Sequence, residues 1–170
     1  MKWARDYLSI ARQSAVAVRA INDEMDERRA ALTLQAQKYA NGVRTGETDP
    51  QALIVAYLDA ERDADARLVE HRERLLDAHR LLFGFDGRHG VAGHIGLTCA
   101  QVVERRWLLL QTWTMIAAAF GKSRKWCANR ADDAIGFMDE YGEARLRNEY
   151  EVDADFYESL RDERYERRWC

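Results

Sequence analysis

Apolar and small residues recur at Ala4, Leu8, Ala11, Ala15, Val18, Met25 and Leu32. These alternating steps of four and three line one face of a helix running from residue 2 to about residue 40. Tyr7, Ile21 and Tyr39 widen the stripe, and the charges from Asp23 to Arg29 read as a solvated face. Pairs such as Glu24 with Arg28 add only about 0.2–0.5 kcal/mol each on such a face. The pattern breaks between Asn41 and Pro50. Asp49 followed by Pro50 is a strong helix start, because the Asp side chain accepts an orphan N–H and Pro needs no donor at the first helical position. A second helix is expected from Pro50 to about Phe83, with Leu53, Tyr57, Ala60, Ala64, Leu68, Leu75, Ala78 and Leu82 on its apolar stripe. Two helices of about 35 residues joined by a short polar link predict an antiparallel, coiled-coil-like hairpin some 50 Å long over residues 1–83. The stripes are thin and rich in Ala, with Arg29, Arg67 and His71 intruding. So little apolar surface predicts a partner: a homodimer through the hairpin, or docking onto another protein.

Residues 84–97 hold five of the ten glycines and read as a linker. No strand is expected before it and no Lys-Ser or Lys-Thr closes it, so it lacks the marks of a phosphate loop. His89, His94 and Cys99 match no zinc spacing, and neither metal nor cofactor is expected. Thr98 to Gln101 offers a capping box for the next helix. That helix turns Val102, Val103, Trp107 and Leu110 inward, while Arg105 and Arg106 project elsewhere. Leu108, Leu109 and Leu110 read as the core of a small three-helix domain.

Trp113 to Phe120 then reads as a helix with Ile116 and Phe120 facing the core and Ala117 at a helix crossing. Gly121 supplies a tight turn, and Ser123 caps a further helix that buries Cys127, Ala131, Ala134, Ile135 and Met138. Its other face presents Ser123, Arg124, Lys125, Ala128, Asn129 and Asp132. In a helix-turn-helix this is the face that enters the major groove. Ser123, Arg124, Lys125, Ala128 and Asn129 are therefore the candidate base-reading set. Arg suits guanine and Asn pairs bidentately with adenine. Arg105, Arg106, Lys122 and Arg130 are the candidate phosphate contacts.

Charge sharpens this picture. The 170-residue chain carries a formal charge of −3, but residues 98–131 alone carry +5, against −7 for residues 132–170 and −1 for residues 1–97. Phosphate attraction is local, fading within about 8–10 Å, so a basic island between acidic flanks remains compatible with double-stranded DNA. A single Pro and 32% charged residues favour an all-α fold. No apolar run approaches the roughly 20 residues that span a bilayer, so the chain reads as soluble and intracellular, without a membrane partner. The three cysteines, Cys99, Cys127 and Cys170, are odd in number and suit reduced thiols. No spacing suggests a nucleophile with its base, so no enzyme is expected. The tail over residues 142–170 reads as a charged helix in which Phe156, Tyr157, Tyr165 and Trp169, beside Leu160 and interleaved arginines, suit either a protein interface or packing back onto the hairpin.

Arg106-Trp107-Leu108, Thr112 to Ala117, Phe120 to Arg124 and Ala134-Ile135 resemble the helix-turn-helix of sigma factor region 4. A coiled-coil hairpin followed by this motif over residues 98–141 resembles the RinA and ArpU type of phage and prophage transcription regulators. Leu109 and Leu110 stand where that family commonly carries Gly, and Lys122 stands where it has an apolar residue. The resemblance implies control of phage genes in the cytoplasm of a bacterial host, through upstream DNA and RNA polymerase. The alternative is a phage protein-interaction factor, an adaptor or inhibitor of a host complex working through the hairpin and tail.

Overall fold

The computed structural model describes residues 2–41, 50–84 and 89–149. The fold is all-α, and no strand occurs among the described residues. Its helices are α1 (Ala4–Ala40), α2 (Pro50–Phe83), α3 (Gly90–Ile95), α4 (Leu97–Val103), α5 (Trp113–Phe120) and α6 (Arg124–Tyr141). A π-helical turn, Glu104–Leu108, follows α4, and residues 143–149 are again helical. The cap at Asp49, the side chain of Tyr39 and the aromatic tail set Phe156, Tyr157, Tyr165 and Trp169 lie outside the described residues. The chain forms two compact units, Met1–Ala15 with Arg74–Cys170, and Val16–Glu73.

In the unit Val16–Glu73, Ile21 and Met25 of α1 meet Ala64 and Leu68 of α2, with Val18 and Tyr57 packed against them. Arg67 pairs with Glu24 at 3.3 Å, and Arg29 Nε donates to Tyr57 Oη at 3.3 Å. Rising numbers on α1 meet falling numbers on α2, so the helices are antiparallel. Arg29 and Arg67, intruders on the apolar stripes, sit at the seam's edge and bind across it.

The other unit has a broader core. Leu8, Leu81, Leu82, Val91, Val102, Val103, Ile116, Cys127, Met138 and Leu146 are almost fully buried there. Leu81 lies off the apolar stripe of α2, yet it is buried because α3 covers a second side of that helix's end. The glycine-rich stretch is thus not bare loop: α3 forms inside it, with Val91 and Ala92 buried. Gly90, at φ 66°, lets α3 approach so closely that a Cβ there would lie 2.6 Å from the Leu81 carbonyl oxygen. Thr98 does not cap α4. That helix starts one residue earlier, at Leu97, behind Gly96 and without a side-chain cap.

The leucine run also departs from its expected role. Leu109 is 55% exposed, while Leu108 and Leu110 are half-buried. The π turn is the cause. Leu109 N–H donates to the Glu104 carbonyl at 3.0 Å and Gln111 N–H to that of Arg105 at 2.8 Å. These wider closures rotate the run away from the core and drive Leu110 to φ 56°, a conformation that an L side chain rarely adopts.

Candidate nucleic-acid interface

The side chain of Thr112 accepts from Met115 N–H at 3.3 Å and starts α5. The helix ends on Gly121, whose φ of 61° is left-handed. Lys122 N–H reaches back to the Ala117 carbonyl at 3.0 Å, and Gly121 N–H to that of Ala118 at 3.3 Å. This Schellman-type closure satisfies carbonyls that the helix end would otherwise orphan. Ser123 Oγ then accepts from Trp126 N–H at 3.1 Å and caps α6. Helix, three-residue turn and helix are held together by Ile116 and Ala117 of α5 and by Cys127, Ala131, Ala134, Ile135 and Met138 of α6, all buried. Phe120 is half-buried against the same core.

That burial fixes what α6 shows to solvent. Ser123, Arg124, Lys125, Asn129 and Asp132 are exposed, and Ala128 is half-buried between them. No hydrogen bond or ion pair engages Arg124, Lys125 or Asn129 among the described residues. Ser123 has committed its oxygen to the cap, leaving its proton for an outside acceptor.

The four candidate phosphate residues divide. Lys122 is exposed, its Nζ 5.9 Å from the Trp126 ring centre. Arg105 instead donates to Gln111 Oε1 at 3.2 Å and lies 5.5 Å over Phe120. Arg106 donates to the Gln111 carbonyl at 3.1 Å and covers Trp113 at 5.0 Å. Burial and the neighbouring Arg12 depress its pKa. Arg130 pairs with Asp133 at 2.9 Å and lies 5.9 Å from Trp126. Helical residues advance by about 100°, so Arg130 stands about 140° round α6 from Lys125. These three arginines thus brace the loop before α5 and the flank of α6, with only part of each guanidinium left for a ligand.

His94 is occupied as well. It lies 3.1 Å from Glu149 and 4.7 Å from the Tyr141 ring, and Tyr141 Oη donates to the same carboxylate. Cys99 and Cys127 are buried free thiols, and burial raises both pKa values. Among the described residues no cluster of His, Cys, Asp and Glu is arranged to hold a metal, and no helix is long and apolar enough to cross a membrane.

One basic residue beside α6 carries no motif signal. Arg5 Nη2 donates to Asp132 Oδ1 at 3.1 Å, across 127 positions of sequence. Only the fold brings the first turn of α1 to this helix. The chain matches no family model, no curated protein and no solved structure with which it was compared.

Proposed function

We propose that this chain is a sequence-specific DNA-binding protein that presents α6 to the major groove. The observation that carries this is the arc of Arg124, Lys125 and Asn129. They are three polar side chains, unengaged among the described residues, at the start of a capped helix that a tight turn locks against α5. Arg and Lys there serve guanine or phosphate, Asn serves adenine, and half-buried Ala128 lets the helix approach the base edges closely. Lys122 adds a phosphate contact at the turn. Regulation of phage transcription with RNA polymerase is the role that fits the family resemblance of this motif.

The chain acts as a dimer. Among its described residues the unit Val16–Glu73 buries four hydrophobic side chains, while Ile54, Val55, Leu58 and Val69 of its α2 are each at least 50% exposed. A second copy covers that surface and brings a second α6 to the DNA, matching the two half-sites that dimeric helix-turn-helix proteins read.

Selection from a random duplex pool, followed by anisotropy titration at several salt concentrations, tests the assignment. Replacing Arg124 and Lys125 together by Ala should abolish discrimination and reduce the slope of log K against log salt by about 1.8 per protomer, at roughly 0.9 per phosphate contact. Unchanged discrimination and slope in that variant would remove α6 from the interface.

A further inference from the structure

The start of α1 is built onto α6. Ala4 N–H donates to Asp139 Oδ1 at 2.9 Å, closing the positive end of α1 with a carboxylate. Trp3 Nε1 donates to the Met138 carbonyl at 3.1 Å. These bonds fix the first turn of α1 across the C-terminal half of α6. An open groove remains, lined by Lys2, Arg5 and Asp6 on one side and Asp132, Gly136 and Asp139 on the other.

Within this groove Arg5 pairs with Asp132, and their side chains are 68% and 66% exposed. An ion pair so open to water contributes almost nothing to stability. Its position is more informative than its strength. Asp132 lies within about 20° of Lys125 around α6, and about 10 Å further along its axis, so it belongs to the outward arc. A lone carboxylate there would repel the DNA backbone. Arg5 neutralises it: one of its five N–H groups is bonded to Asp132, and its side chain is otherwise largely exposed. Asp139 is likewise turned inward, onto the end of α1.

We propose that Arg5 contacts a phosphate beside the groove occupied by α6, and that Asp132 is a positioning residue that holds its guanidinium outward. The first turn of α1 is then part of the DNA interface. This rests on the reading of α6 as the DNA helix and adds a contact that its motif does not contain.

The test compares Arg5→Ala, Asp132→Asn and the double variant on the duplex selected by the wild-type protein, with the Arg124→Ala, Lys125→Ala pair as the control for α6. Arg5→Ala should lower affinity and reduce the salt slope by about 0.9. Asp132→Asn removes a negative charge from the DNA side, so simple repulsion predicts tighter binding. Positioning predicts weaker binding, and a double variant no weaker than Arg5→Ala alone. Unchanged melting temperatures show that no loss comes from unfolding. A wild-type slope in Arg5→Ala overturns the contact even where the control loses discrimination, and Asp132→Asn binding as well as or better than wild type overturns the positioning. A wild-type protein that selects no sequence sinks the reading of α6, and this inference falls with it.

Discussion

Gly90 and Gly121 share one backbone conformation, with φ 66° and 61°, in opposite surroundings. An Ala at either site takes on left-handed strain of about 1–2 kcal/mol. The loss of unfolded-chain freedom returns about 0.4–1 kcal/mol at either site. At Gly121 nothing lies within 4 Å of the new methyl, so the net cost should be about 1 kcal/mol. At Gly90 the methyl would lie 2.6 Å from the Leu81 carbonyl oxygen and 3.0 Å from Gly84 N. Both are backbone atoms, so α3 must retreat from α2 and loosen the packing of Val91, Leu81 and Leu82. Overpacking of that kind costs a further 1–3 kcal/mol or so. Gly90→Ala should therefore lose about 2–4 kcal/mol in all, from the strain, entropy and packing figures together. Urea unfolding followed by tryptophan fluorescence isolates the relevant unit, because every tryptophan lies outside Val16–Glu73. The midpoints should separate while m stays constant. Equal losses in the two variants would refute the claim that close approach, rather than backbone strain, fixes Gly90.

Acid stability should depend on Asp77, which accepts from Arg147 at 2.7 and 2.9 Å and from Tyr7 at 2.7 Å. Burial alone would raise its pKa, but the bonds from Arg147 and Tyr7 outweigh that and hold it below the ordinary carboxylate value. The contribution is therefore complete above the unfolded pKa and lost as pH falls through the depressed folded value. Asp77→Asn should cost about 1–2 kcal/mol at neutral pH, between the exposed and buried limits for ion pairs. Its stability should then fall less steeply in acid than that of the wild type, and equal acid slopes would contradict the assignment. Light scattering should find the wild type self-associated in the micromolar range. Leu58→Glu with Val69→Glu should be monomeric with unchanged helicity, and a monomeric wild type would remove the dimer.

Local chemistry made much of this fold legible. The spans of α1 and α2 follow from periodicity and the Asp49-Pro50 signal, and α5 and α6 from the spacing of Ala117, Gly121 and Ser123. The five residues expected to be buried on α6 are all buried, because a 3.6-residue repeat needs no knowledge of the partner. Hidden features depend on local backbone geometry and side-chain pairing that periodicity does not encode. Arg105, Arg106 and Arg130 resemble free cations until Phe120, Trp113, Gln111 and Trp126 are brought beside them. Thr98 has capping chemistry, but the positive φ of Gly96 starts α4 before it. Leu110 takes a left-handed conformation that usually falls to Gly. Here the Arg106 bond to the Gln111 carbonyl, with the closure onto Arg105, holds a leucine in it.

The division among the basic residues also bears on oligomeric state. Residues 98–131 hold six cations, which as a set would give a single protomer a strong electrostatic grip. Three of them are already bonded within the protein. Lys122, Arg124 and Lys125 are left at the turn and the start of α6, with Arg5 further along that helix on Asp132. About four phosphate contacts give a salt slope near −3.6, at roughly 0.9 per contact. Binding would then weaken about a hundredfold between 50 and 200 mM salt. On the proposed reading of α6, one protomer would be a weak DNA ligand at physiological ionic strength, and its base contacts would have to supply what the phosphates do not. Two protomers on adjacent half-sites double the slope to about −7 and join two sets of base contacts in one event. On the proposed function, the sparse seam of Val16–Glu73 and the modest cation count around α6 would have the same remedy, a second copy. A DNA complex whose slope stays near −3.6 would show that the two features are unrelated.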